Sequence, residues 1–364
     1  TGNPIPSDTD EDAEDEKITA DEEKEDTKVI QLGDDLKLPP DYFQLIIVDE
    51  CHRSIYGKWR AVLDYFSKAH VLGLTATPTP EAYAFFNNNI IEQYTYDDSV
   101  VDGVNVPPRV YRIKTEVTEH GGRLQAGTVV KETARRTGSS TSVLMEERVD
   151  YSSSNLDRSV VNPDQIRKVL EAYKKTIYEE LYPDREKKWE YIQKTLIFAK
   201  DDNHATQIVE DAKQVFGEEF EDGVVPEHFV QKITYTAGDS NGLIRDLRIE
   251  KDFRIAVTVT LVATGTDVRP LEVVLFMKDV HSDVLYTQMK GRGCRIIDDD
   301  RLREVTPNAN TKECYYIVDA VGVTEHDRAT HYCEKRRRAG RSVPHSWVIL
   351  YRGYMGLLER FLLL

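Results

Sequence analysis

Hydrophobic positions along the chain fall into short, nearly continuous runs, separated by stretches with helical spacing. Tyr42-Phe-Gln-Leu-Ile-Ile-Val48 is an apolar, β-branched run of strand length that ends abruptly in Asp49-Glu50. A run without alternation predicts a strand buried on both faces, as in a parallel sheet. A helical stretch follows over Trp59–Ser67, with apolar residues at Val62, Leu63 and Phe66. A second short run, His70–Leu74, is capped by Thr75-Ala-Thr-Pro78. Strand, helix and strand make a βαβ unit. Ligands in such sheets sit beyond the carboxyl ends of the strands, which is where both polar clusters fall.

The pattern changes at Pro107. Val110–Val117 and Leu124–Glu132 flank Gly121-Gly122, which predicts a β-hairpin or β-rich insertion reaching to about Tyr151. A helix start is then marked by Asn162-Pro-Asp-Gln165, with Asn as N-cap, Pro at the first helical position and Gln closing a capping box. That helix runs to about Tyr182 and stops before Pro183. It opens a second α/β region, with strands expected at Lys194–Ala199, Phe229–Thr234, Arg254–Val259, Val273–Phe276 and Cys314–Val318. The last thirty residues, with Arg336-Arg-Arg338, Arg341 and Trp347–Leu364, break this rhythm and are expected to stand outside both α/β regions.

Composition changes this picture only locally. The 364 residues are 40% hydrophobic and 31% charged, ordinary for a globular protein. The net charge of −16 is concentrated in residues 1–37, whose fourteen Asp/Glu and four Lys give −10 and leave −6 for the rest. Such a segment predicts a disordered acidic loop or linker, and the balance elsewhere is neutral on nucleic-acid partners. No apolar run approaches the roughly 20 residues of a membrane span, so no membrane partner is expected. Cys51, Cys294, Cys314 and Cys333 are too scattered for a zinc pattern and too few for a disulfide scaffold; a reducing cytoplasm fits them.

The first chemistry-bearing cluster is Ile46-Ile-Val-Asp-Glu-Cys-His52. An apolar strand that delivers two adjacent carboxylates suits Mg²⁺-nucleotide hydrolysis: Asp49 holds the Mg²⁺ shell through water, and Glu50 polarises the water that attacks the γ-phosphate. Thr75 and Thr77 at the next strand end are placed to relay between that site and bound nucleic acid. Far downstream, Tyr286-Thr-Gln-Met-Lys-Gly-Arg-Gly-Cys-Arg295 offers Arg292 and Arg295, whose forked guanidinium donors match developing phosphate charge. Their three-residue spacing predicts one helix face, although Gly291 and Gly293 are out of place in a plain solvated helix.

These motifs resemble those of superfamily 2 helicases. Asp-Glu-Cys-His at 49–52 is similar to their motif II, Thr75-Ala-Thr77 to motif III, Thr195–Lys200 to motif IV, and Gln288-x-x-Gly-Arg-x-x-Arg295 to motif VI. Val257–Asp267 resembles motif V, a loop that in the family touches nucleotide and nucleic-acid backbone. The resemblance implies phosphate contacts from Thr264 and Gly265 and a nucleotide-facing Asp267; Tyr235-Thr-Ala-Gly238 would bring Thr236 to a strand's phosphates. His52, Gln288, Arg292 and Arg295 join Asp49 and Glu50 as expected nucleotide ligands. The fuller strings Asp-Glu-Cys-His-Arg-Ser and Gln-Met-Lys-Gly-Arg-Gly-Cys-Arg are similar to the motor (R) subunit of type I restriction endonucleases.

The fold class expected is therefore α/β, with two RecA-like parallel-sheet lobes, the first incomplete, and a β-rich insertion between them. The corresponding bounds are an acidic linker at 1–40, the first lobe at 41–106, the insertion at 107–160, the second lobe at 161–322 and a tail at 323–364. The family implies ATP and Mg²⁺ as cofactors, double-stranded DNA as track, modification and specificity subunits as partners, and cleavage in a nuclease domain. The chain holds no G-x-x-x-x-G-K-[ST] and no nuclease pattern ahead of Asp49, so the phosphate-cradling lysine and the nuclease are expected upstream of Thr1. Two alternatives stay open on the motifs alone: another superfamily 2 DNA-repair or RNA helicase, and a non-catalytic nucleic-acid-binding fragment.

Overall fold

The computed structural model describes residues 38–113, 123–124, 129–133, 140–144, 149–150, 163–234, 239–260, 267–325 and 347–352. They fall into two compact units.

One unit is built on a four-stranded parallel sheet. β1 (Leu45–Val48) pairs with β2 (His70–Thr75), with Val48 opposite Gly73. Between them runs α1 (Gly57–Tyr65), and after β2 come α2 (Pro80–Phe85), β3 (Ile90–Tyr94) and α3 (Tyr96–Val101). Both later helices start on threonines whose side chains accept backbone N–H groups, Thr79 from Ala82 and Thr95 from Asp98. Cys51, Leu63, Val71, Phe85 and Phe86 form the core of this unit. Gly73 makes that core possible: a Cβ there would lie 2.5 Å from the Phe86 ring and 3.0 Å from the Cys51 sulfur.

Two expectations are corrected here. The 42–48 run forms only a four-residue strand, and it is not buried on both faces, since Leu45 and Ile47 are more than half exposed. Among the described residues β1 pairs with β2 alone, so it is an edge. The tail also contributes: Trp347–Arg352 forms β14, parallel to both β2 and β3 and hydrogen-bonded between them. Its sequence, Trp-Val-Ile-Leu-Tyr-Arg, is itself a continuous apolar run of strand length, which the arginine-rich surroundings concealed.

The other unit carries a six-stranded, all-parallel sheet. Its strands are β9 (Lys194–Phe198), β10 (Val230–Lys232), β11 (Ile255–Thr258), β12 (Leu271–Phe276), β13 (Tyr315–Asp319) and β4 (Pro108–Arg112), in the order β10-β11-β9-β12-β13-β4. The four expected central strands appear within a few residues of their predicted bounds. Every residue of β9, β11, β12 and β13 is buried, as the unalternating runs require. α4 (Pro163–Thr176) closes in a π-helical turn, Ile177–Leu181, and with α5 (Asp202–Gly217) it supplies Leu170, Tyr173, Ile208, Val215 and Phe216 to the core. The predicted cap residue Asn162 lies outside the described residues.

Pro108–Arg112 was expected to begin an insertion; it is instead the edge strand beside β13, with Ile113 buried in the sheet's core. The remainder is β-rich as expected but paired differently. β5 (Arg123–Leu124) lies antiparallel to β8 (Val149–Asp150), and β6 (Val129–Thr133) to β7 (Ser140–Leu144). Gly121-Gly122 lie outside the described residues.

This sheet also buries charge. Arg185 grips Glu272 of β12 with both guanidinium nitrogens, Nη1 to Oε2 at 3.1 Å, and stacks 4.3 Å over the Tyr182 ring. Lys194 donates to the carbonyls of Glu250 and Phe253, and burial pushes its pKa down to about 6. Removing one member of a buried pair strands the other's charge. Arg185→Met is therefore expected to cost about 3–5 kcal/mol, read as a lowered urea midpoint; an unchanged midpoint would show that Glu272 needs no partner.

Candidate nucleotide site

In the four-stranded unit, β1 ends at Val48 and delivers Asp49 and Glu50 into a tight turn. The Glu50 amide donates to Asp49 Oδ1 at 2.9 Å. Glu50 holds φ at +46°, in the left-handed region that a Cβ-bearing residue enters only at a cost on the order of 1–3 kcal/mol. The turn is fixed on its far side, where the Cys51 amide donates to Leu74 O at 3.0 Å. Cys51 is buried, and burial together with the Glu50 carboxylate pushes its thiol up to about 12, so it packs as a neutral side chain.

His52 joins the two strand ends. Its Nδ1 lies 3.0 Å from Thr75 Oγ1 and 3.3 Å from Glu50 Oε2. The hydrogen bond of this ring nitrogen is to Thr75, and the Glu50 carboxylate oxygen stands beside it. Thr75 Oγ1 in turn accepts from the Thr77 amide at 3.1 Å. Burial, then the nearby Arg53 charge, lowers the His52 pKa to about 4. Desolvation thus outweighs the adjacent carboxylate, and the ring is neutral at pH 7. Thr75 and Thr77 are buried. The chain Glu50–His52–Thr75–Thr77 was visible as motifs, but its links were not.

Asp49 is exposed, with one oxygen engaged by the Glu50 amide. Among the described residues no group of three or more His, Cys, Asp or Glu forms a metal cage. A single exposed carboxylate fits Mg²⁺, which keeps most of its waters and takes one or two carboxylates plus phosphates.

After β12, α7 (Asp283–Lys290) carries Gln288 in its last turn and stops at Lys290. Arg292 and Arg295 therefore do not share a helix face, which corrects the spacing argument. The glycines end the helix: the chain turns through Arg292, whose amide bonds Met289 O at 3.1 Å, and Gly293 presses against the Tyr315 ring, leaving no room for a Cβ. Cys294 closes the turn by donating its thiol to Gly291 O at 2.9 Å. Arg295 then meets Asp267, Nε to Oδ1 at 3.8 Å, and the same carboxylate takes Arg269 Nε at 3.1 Å through Oδ2. Lys312, which belongs to no motif, donates to the backbone oxygens of Arg269 and Arg295 at 2.9 and 2.7 Å. Its signal in the sequence was nil, because a lysine before a strand is an ordinary surface residue. Thr236, Thr264 and Gly265 lie outside the described residues.

Residues 9–80 match the family described as the type III restriction enzyme res subunit. The type I restriction enzyme EcoAI endonuclease subunit of Escherichia coli is 30% identical over 271 residues, 71% of this chain and 30% of its own length. The EcoKI endonuclease subunit of strain K12 is 27% identical over 323 residues, 80% of this chain and 25% of that one. The chain thus spans between a quarter and a third of these curated relatives. A solved fragment described as an HsdR subunit of a type I restriction enzyme from Vibrio vulnificus YJ016 covers 80% of the chain, and the match takes in 46% of that fragment, at a TM-score of 0.53 and 23% identity. Each unit has the parallel-sheet α/β fold of a RecA-like lobe. More narrowly, the chain is a helicase-like region similar to the R subunit of type I restriction enzymes.

The His52 ring gives a direct check on the relay. Its imidazole is expected to stay neutral until about pH 4, as read by ¹⁵N chemical shifts across a pH titration. A midpoint near the ordinary histidine value of about 6.5 would mean the ring is not held as described.

Proposed function

We propose that this chain is the motor region of a type I restriction R subunit, which couples ATP hydrolysis to movement along double-stranded DNA ahead of cleavage by a nuclease domain carried elsewhere in the polypeptide. The observation that supports this most is the linkage of the Asp49-Glu50 turn to the next strand end through His52 and Thr75. A carboxylate pair with a purely structural role would need neither the left-handed Glu50 backbone nor a buried neutral histidine beside its side chain.

In this reading Asp49 holds Mg²⁺ through water, and the ion supplies charge neutralisation at the β- and γ-phosphates. Glu50 orients the attacking water and takes its proton. His52, hydrogen-bonded to Thr75, packs beside the Glu50 carboxylate, and Thr75 and Thr77 link that ring to the neighbouring strand end. Gly265, Asp267, Gln288, Arg292 and Arg295 are further nucleotide ligands, with the two arginines meeting charge that develops on the transferred phosphoryl group. Thr236 and Thr264 take DNA phosphates. The partners are double-stranded DNA and the modification and specificity subunits of a cytoplasmic restriction–modification complex.

Two outcomes follow. In the full-length polypeptide with DNA, Glu50→Gln is expected to lower the ATPase kcat by about 100-fold or more, the scale of a lost general base, with ATP affinity nearly unchanged. Undiminished turnover would end the enzymatic reading. The 364 residues alone contain no G-x-x-x-x-G-K-[ST], and their DNA-stimulated ATPase is expected to be near background; a rate matching the full-length polypeptide would contradict this.

A further inference from the structure

We infer that Lys312 is a positioning residue for the reaction: its ammonium clamps the backbones of Arg269 and Arg295 together and so fixes where the Arg295 guanidinium can reach. The inference rests on the reading of Arg295 as an arginine that faces the nucleotide.

Four residues from three chain segments form a closed ring. Asp267 joins the side chains of Arg269 and Arg295 through its two oxygens, at 3.1 and 3.8 Å. Lys312 joins the backbone oxygens of the same two residues, at 2.9 and 2.7 Å. A guanidinium tethered only through its side chain can swing with its main chain. One tethered at both ends of the residue is held to a single approach. Precision of about half an ångström is what a charge-stabilising group needs.

The position is a costly one for a lysine, and that favours a specific role. Lys312 is 6% exposed, and no carboxylate oxygen lies within ion-pair distance of its nitrogen among the described contacts. An apolar side chain of the same length would fill the space without desolvating a charge. The groups facing the ammonium are Glu272 on β12, Asp267 and Arg269 ahead of β12, Cys294 and Arg295 after α7, and Cys314 ahead of β13. Glu272 is already committed to Arg185. Burial outweighs the acidic groups of this set and brings the lysine pKa down to about 8. The clamp is thus charged at neutral pH, and its charge-assisted bonds weaken above that value.

The test uses three variants of the full-length polypeptide with DNA: Arg295→Ala, Lys312→Met and Lys312→Arg. Arg295→Ala is expected to abolish turnover. Lys312→Met is expected to lower kcat about tenfold or more, the scale of a misplaced catalytic group, while the KM for ATP stays within about threefold. Lys312→Arg, which keeps a charged donor, should recover most of kcat. It should also remove the decline in kcat expected of the wild type above about pH 8. If Lys312→Met turns over within about twofold of wild type while Arg295→Ala is dead, the clamp is wrong and the motor reading stands. If Arg295→Ala itself turns over normally, the motor reading falls first. Should Lys312→Met fail to fold, the pH profiles decide: the same alkaline limb in wild type and Lys312→Arg overturns the clamp.

Discussion

A parallel sheet covered by helices on both faces accepts little but apolar side chains along its strands, and this constraint governs where chemistry can sit in both units. The bodies of β9, β11, β12 and β13 are buried throughout, so polar side chains gather where the strands stop. Asp49 and Glu50 follow β1, and Thr75 and Thr77 close β2. Asp319, at the end of β13, gathers the amides of Val321, Gly322, Val323 and Thr324 on one carboxylate. The exceptions along the strands are charges held by hydrogen bonds, such as Glu272 accepting from Arg185 and Lys194 donating to two carbonyls.

What the sheet places, short hydrogen-bonded links then orient. His52 is neutral because it is buried, and a neutral ring bonded to Thr75 sits beside Glu50 without adding charge next to the carboxylates. The left-handed backbone at Glu50 and the missing Cβ at Gly73 belong to the same economy of space. One aims the carboxylate out of the turn; the other lets Phe86 and Cys51 pack beneath it. In the second unit the glycines after α7 play the matching part, ending the helix so that Arg295 meets Asp267.

Much of this was legible in the residues. Unalternating apolar runs located the central strands, and the polar residues at their ends located the carboxylates, threonines and arginines. The failures have physical causes. β1 was expected to be covered on both faces because Leu45 and Ile47 read as core, but a run of residues carries no record of what lies beside it. Arg292 and Arg295 were assigned one helix face from spacing, although Gly291 and Gly293 already signalled a chain leaving the helix. β14 was overlooked because the surrounding arginines masked an ordinary apolar run. Lys312 was invisible, since only the folded chain brings a lysine ahead of β13 to the backbones of Arg269 and Arg295.

The central claim is the proposal that this chain belongs to a nucleotide-driven motor whose turnover needs Glu50 and Arg292. Trapping of ADP with aluminium fluoride, a mimic of the transferring phosphoryl group, tests it most directly, because only groups that stabilise the transition state affect it differently from ATP. In the full-length polypeptide with DNA, the wild type is expected to retain the trapped complex. Glu50→Gln and Arg292→Ala should each lose it while still binding ATP. Stable trapping by Arg292→Ala at the wild-type level would contradict the account.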